Sequence, residues 1–214
     1  MKYLHTVGDL SAVINVVEDE ITPQLVPLNK KFIQAPQAEY FEVRKSIAEK
    51  LELASYFLPK GYQFKIFETY RSREKQIHFW NLEIEKIKKE NPTLTDKQVE
   101  EIANNGIANP YKIGSGHQTG GAIDITVCYN GIELDMGTTY LETENPKTKT
   151  DANGLSPKQF KNRHMLKSLM EGVGLVNYPL EWWHYSYGEH EWAVLTKRKN
   201  TLYKAINNHP HIRE

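Results

Sequence analysis

The chain of 214 residues balances 27 Lys plus Arg against 27 Asp plus Glu, with 39% hydrophobic and 25% charged residues. That composition suits one globular domain with a core and excludes disordered and fibrous classes, and the even charge gives no overall field to draw nucleic acid or an anionic membrane. One cysteine, Cys128, excludes an internal disulfide and a Cys-rich zinc knuckle, so a bound metal must take His and carboxylate ligands.

The apolar run over residues 10–17 contains Ser11 and Asn15, is fenced by Asp9 and Glu18, and lacks a small-residue cleavage site, so it does not read as a signal peptide. Nothing elsewhere approaches the ~18–20 apolar residues of a membrane span. A cytoplasmic protein without a membrane span is expected, or a periplasmic one if a leader has been removed. Between residues 37 and 58, Tyr40, Val43, Ile47, Leu51, Ala54 and Leu58 recur at threes and fours, which predicts a helix that Pro59 ends. Residues 62–69 alternate as a strand running into Tyr70 and Arg71, and a helix follows from 74 to about 90. Thr95 with Gln98 has the form of a capping box opening another helix. Over 122–128, Ile123, Ile125 and Val127 would face a core, while Asp124, Thr126 and Cys128 face a cleft. Asn130-Gly131 then predicts a hairpin with a return strand over 132–136. Residues 138–155 form a polar stretch that reads equally as a functional loop or a solvated excursion. Ser156, Pro157 and Gln159 start a helix with Phe160, Met165, Leu166, Leu169 and Met170 on its apolar side, and Gly172 and Gly174 stop it. Strands are expected over 175–178 and 182–187, around Pro179. The order predicts an α+β fold: a small central antiparallel sheet flanked by helices, with the site in a cleft on the sheet. A single domain over 1–214 is expected, with a divergent part at 1–60, a catalytic core at 61–187 and an extension at 188–214.

Residues 115–124 read Ser-Gly-His-Gln-Thr-Gly-Gly-Ala-Ile-Asp, placing His117 and Asp124 on either side of a glycine pair. Such a pair can converge on a borderline ion such as zinc, or His117 can simply hydrogen-bond Asp124 in a turn. Sixty residues later Glu181-Trp182-Trp183-His184 offers a second imidazole and a second carboxylate among bulky apolar groups. Two nitrogens and one carboxylate would leave a fourth zinc position for water, and a carboxylate outside that set, Glu181, would move the water's proton. A regular strand would point Glu181 and His184 to opposite faces, so an irregularity near Pro179-Leu180 is required. Arg71, or alternatively Arg73, could stabilise an oxyanion. His190 is an alternative to His184 as a ligand. His5, His78, His164, His209 and His211 show no partner pattern, Cys128 reads as a small buried hydrophobe, and the basic run Lys197-Arg198-Lys199 as solvated.

Three motifs resemble the zinc D-alanyl-D-alanine peptidases, and within them the VanX-type dipeptidases. These are the S-x-H-x-x-G-x-A-x-D pattern at 115–124, the E-W-W-H pattern at 181–184, and Tyr70-Arg71 before a helix. Similarity extends through Met136-Gly137-Thr138, Ala152-Asn153-Gly154 and Asn162-Arg163, covering roughly 61–187. The resemblance implies one zinc ion held by His117, Asp124 and His184, with Glu181 as catalytic base, Arg71 stabilising the tetrahedral intermediate and Ser115 near a small peptide substrate. Hydrolysis of D-Ala-D-Ala or a related short peptide is the function it implies. Where VanX-type enzymes carry an acid that holds the substrate's amino group, this chain has Leu141, with Glu142 and Glu144 nearby. Ser72 replaces the usual proline, the first 60 residues lack the Tyr-rich opening, and residues 84–111 show little match. A D,D- or L,D-carboxypeptidase acting on peptidoglycan stem peptides is therefore the alternative, and a non-catalytic metal-holding module the third reading. Oligomeric state is left open.

Overall fold

The segment with the strictest alternation becomes the central strand. The computed structural model describes residues 15–16, 25–143 and 145–207. In it β6 (Ala122–Tyr129) lies between β5 (Tyr62–Glu68) and β9 (His184–Ser186), antiparallel to both. Asn130 and Gly131 turn the chain at positive φ, +50° and +79°, and β7 (Ile132–Glu133) folds back onto β6. That is the backbone a two-residue hairpin demands. The return strand ends earlier than residue 136, and Leu134 N still donates to Val127 O at 2.9 Å. β8 (Val176–Asn177) pairs antiparallel with β9, whereas β3 (Ile33–Gln34) runs parallel to β5. The six-stranded sheet, ordered β3-β5-β6-β9-β8 with β7 beside β6, is therefore mixed and not purely antiparallel as expected. A parallel pair requires a crossover, and the chain makes one through β4 (Glu42–Arg44) and helix α1 (Lys45–Ser55).

The helix expected over 37–58 is shorter because its start is claimed by strand pairing. Residues 42–44 pair with β2 (Leu25–Pro27), and Arg44 donates its backbone N–H to Gly120 O at 2.9 Å and its Nε to Thr119 O at 2.7 Å. Val43 and Ile47 are both fully buried, so one apolar spacing runs through a strand into a helix. Ile47, Leu51 and Ala54 of α1, with Leu166 and Met170 of α4 (Pro157–Gly172), share a core with Phe64, Ile66, Ile123 and Ile125 of the sheet. Each of the Ile, Leu, Met and Phe side chains among them contributes roughly 1.5–3 kcal/mol on burial. Residues before 60 thus supply part of the same core as the central strands.

Helices α2 (Arg73–Glu90) and α3 (Asp96–Ala103) bury Trp80, Ile87, Val99 and Ala103 in a small cluster of their own. The boxes at Thr95/Gln98 and Ser156/Gln159 both form. Strands β8 and β9 are shorter than expected because residues 178–184 make two successive turns, Glu181 N to Tyr178 O at 3.0 Å and His184 N to Glu181 O at 3.3 Å. A short helix, α5 (His190–Leu195), follows β9, and the last strand, β10 (Asn200–Thr201), runs parallel to β1 (Asn15–Val16). Apart from β1, the apolar run at 10–17 lies outside the described residues, as do His5, His209 and His211. Among the described residues no helix is long and apolar enough to cross a membrane.

Candidate metal centre and active site

Register alone brings two of the expected ligands together: Asp124 of β6 pairs directly with His184 of β9. His117 arrives on a one-turn 3-10 helix (Gly116–Thr119) opened by a capping box. There Ser115 Oγ accepts from His117 N at 3.2 Å, and Ser115 N donates to Gln118 Oε1 at 2.9 Å. The turn closes at Gly120, φ +70°, where a Cβ would stand 2.5 Å from Leu25 Cδ2. The left-handed backbone and the tight space both disfavour a side chain there, so glycine suits the swing from His117 into β6.

Asp124 Oδ1 lies 2.9 Å from His184 Nδ1 and 3.3 Å from His117 Nε2, and the donor atoms of these three buried residues all fall within 4.8 Å of one another. The opposite edge of each ring is also held. His117 Nδ1 sits 2.8 Å from the carbonyl of Thr69, and His184 Nε2 sits 3.0 Å from Glu191 Oε2. A carbonyl only accepts, so His117 Nδ1 donates to Thr69 O, and Nε2 is the ring atom turned toward the Asp124 carboxylate. A metal ion between that nitrogen and the carboxylate would be held by both. Burial alone would raise the Asp124 carboxyl, but His117 and His184 outweigh it and hold the group well below the usual carboxylate range. Two imidazole nitrogens and one carboxylate fit a zinc ion with a position left for water.

Around this cluster the sheet departs from regularity. A bulge between Ile66 and Glu68 shifts the β5/β6 register, so that Glu68 sits opposite Asp124. Glu68 takes Arg71 in a two-bond fork, with Arg71 Nε to Oε1 at 3.0 Å and Arg71 Nη2 donating to Oε2, while Lys75 Nζ lies 3.1 Å from Oε1. Burial would raise the Glu68 carboxyl, yet the Arg71 guanidinium brings it down to about 2. Arg71 Nη1 donates to Gln76 Oε1 at 2.8 Å, leaving two of the guanidinium's N–H groups for a ligand. Arg71 N also donates to His117 O at 3.2 Å, tying it to the ligand turn. Arg73, the alternative, instead lies over the Tyr111 ring at 5.7 Å.

Glu181 occupies the double turn before β9, the irregularity that its approach to His184 requires. Its half-buried carboxyl lies among the charges of His184, Asp124, Glu191 and His117, and burial pushes it up to about 7. A carboxylate poised there exchanges protons readily near neutrality. His190 does not join the donors; its Nδ1 lies 3.4 Å from Glu189 Oε2. His78 is exposed, and His164 Nε2 is bound to Asp151 at 2.8 Å. Cys128 is fully buried in β6.

The polar stretch 138–155 is docked on the site. Tyr140 OH donates to Asp124 Oδ2 at 2.8 Å, and its ring stacks on Phe67 at 4.4 Å. Trp182 Nε1 donates to Thr138 Oγ1 at 2.8 Å, and buried Arg163 donates to the carbonyls of Met136 and Lys149, both at 2.6 Å. Leu141 is 57% exposed at φ +64°, next to the partly buried Tyr140. The Glu142 carboxylate is occupied by its own loop, accepting from Thr139 N at 3.0 Å and Asn145 Nδ2 at 2.9 Å, and Glu144 lies outside the described residues. Sequence reading did not single out Glu68, Tyr140 or Glu191. Glu68 stands three residues before Arg71, a spacing that could have marked it as its partner; Tyr140 and Glu191 carry no local signal.

The chain resembles known proteins in both sequence and fold. The family model described as D-ala-D-ala dipeptidase, Peptidase_M15, matches residues 27–206. A D-alanyl-D-alanine dipeptidase of Enterococcus faecium is 30% identical over 150 residues, 68% of this chain and 70% of that protein. One from Escherichia coli (strain K12) is 28% identical over 127 residues, 58% of this chain and 55% of that protein. The solved structure of VanYB in complex with D-alanine-D-alanine shares the fold at a TM-score of 0.50, with 18% identity over 88% of this chain and 94% of that one. The chain belongs to the M15 family of zinc metallopeptidases.

Proposed function

We propose that this chain cleaves D-Ala-D-Ala, or a closely related short D-amino-acid-containing peptide, with zinc held by His117, Asp124 and His184. The observation that carries the reading is the convergence of those three buried donors beside two groups outside the set, Glu181 and Arg71. A zinc ion with three protein donors supplies Lewis acidity and a water whose pKa falls to roughly 7. Glu181 takes the proton as the nucleophile attacks the amide carbonyl and delivers it to the leaving amine. Arg71, locked by Glu68 and Gln76, offers its remaining N–H groups to the negative charge developing on the carbonyl oxygen. Ser115, whose Oγ accepts backbone N–H groups of its own turn, keeps its hydroxyl proton for a substrate acceptor.

A second reading rests on Leu141. With that side chain exposed and Glu142 engaged by its loop, neither reads an ammonium group, which favours substrates whose amino terminus is already acylated. Such a substrate is a peptidoglycan stem peptide trimmed from its carboxyl end. The test is a panel of D-Ala-D-Ala, acetyl-D-Ala-D-Ala and an acetylated tripeptide ending in D-Ala, read by D-alanine release from the zinc-loaded enzyme. Release from the free dipeptide supports the first reading, and release only from acylated peptides supports the second. Glu181→Ala should lose turnover while keeping one zinc per chain; full activity in that variant refutes the assigned base.

A further inference from the structure

Carboxylates close on His184 from two sides, and only Asp124 belongs to the donor set. The other, Glu191, stands in the first turn of α5 with its side chain 20% exposed and its Oε2 3.0 Å from His184 Nε2. Both atoms are buried and, among the described residues, neither makes an aligned hydrogen bond, so their approach to each other is an ion-pair contact. The start of α5 is fixed with unusual firmness for so short a helix. Fully buried Glu189 caps it, accepting from Glu191 N at 2.8 Å and Trp192 N at 2.6 Å. The same carboxylate leaves no room for a side chain at residue 116, where a Cβ on Gly116 would stand 2.9 Å from Glu189 Oε2. The cap that holds the Glu191 backbone therefore lies close against the neighbour of His117.

On the reading of His184 as a zinc ligand, we infer that Glu191 is its positioning residue: the carboxylate takes the proton-bearing Nε2 edge and leaves Nδ1 bare toward Asp124 and the metal. An imidazole has two tautomers, and a ring with only one edge fixed can present either nitrogen. His117 solves this with the Thr69 carbonyl, whereas His184 solves it with a carboxylate delivered from beyond the E-W-W-H motif. Such a partner orients the ring and strengthens the nitrogen as a donor, and its loss typically weakens metal binding about 10–100-fold.

The experiment titrates metal-free protein with zinc against a chromophoric chelator and records the d–d spectrum of the cobalt form. Glu191→Leu is expected to bind zinc about 10–100-fold more weakly with a changed cobalt spectrum, while Glu191→Gln, whose side-chain oxygen still accepts, recovers most of the affinity. Equal affinity and an unchanged cobalt spectrum in Glu191→Leu overturn the inference, as does a Glu191→Gln protein as weak as Glu191→Leu. If Glu191→Leu does not fold, the imidazole nitrogen-15 spectrum of the zinc-loaded wild type decides. Metal on Nδ1 with a proton on Nε2 supports the assignment, and the reverse overturns it. A wild type that binds no zinc overturns the ligand reading itself, a result distinct from a zinc-binding wild type matched by Glu191→Leu.

Discussion

Arg71 can stabilise an oxyanion only if it is held still, and the partner that holds it is Glu68. This carboxylate is 5% exposed, receives two N–H groups from Arg71 and lies 3.1 Å from Lys75. Hydrogen bonds to charged groups contribute roughly 1.5–3 kcal/mol each, and removing one member of a buried ion pair costs about 3–5 kcal/mol. Glu68→Ala and Arg71→Ala should therefore each cost about 3–5 kcal/mol in urea unfolding. The double variant should cost at least ~1.5 kcal/mol less than their sum, because once one partner has gone the other has nothing left to lose. Glu68→Gln keeps the volume and one acceptor, so it isolates the catalytic part. With Arg71 no longer gripped at both ends, kcat should fall roughly 10–100-fold, less than the ~100–1,000-fold seen when an oxyanion donor is deleted outright. Additivity within about 0.5 kcal/mol in the cycle, or an unchanged kcat in Glu68→Gln, would show that the fork neither stabilises the site nor aims Arg71.

Two further outcomes follow from the same structure. Glu181 is an acid whose carboxyl is pushed from 4.5 to about 7 by burial, so its neutral form is the one the fold favours. Metal-free protein should lose stability as pH rises from about 4.5 through about 7, and Glu181→Gln should lack that part of the slope; identical slopes in urea midpoints at pH 5 and pH 8 would contradict it. Ser156 caps α4 through Gln159 N at 3.2 Å, so Ser156→Ala should cost about 1 kcal/mol and lower Tm by roughly 2–4 °C by calorimetry.

What could be read from sequence was whatever is settled locally. Asp124 is placed by alternation, the β6/β7 turn by Asn130-Gly131, and the starts of α3 and α4 by their capping boxes. What could not be read depends on partners distant in sequence. Residues 42–44 share the helical spacing of α1, yet pairing with β2 and the bond from Arg44 to Thr119 draw them into a strand. The parallel β3 edge follows from a crossover, which no periodicity announces. Glu68 alternates with Phe64 and Ile66 as though bound for the core, and a single bulge delivers it beside Asp124 instead. His184 was found through its motif, but Glu191 lies in a charged run that looks solvated until α5 folds it back.

Tyr140 and Leu141 are adjacent, and they belong to two different tasks. The first hydrogen-bonds an expected metal ligand, while the second, on the proposed reading, stands exposed near the substrate's amino end. Any exchange of this loop to retarget the enzyme therefore alters how tightly Asp124 is braced. Substrate choice and metal retention become a single trait, and a grafted loop has to be judged by resistance to chelators as well as by what it cleaves.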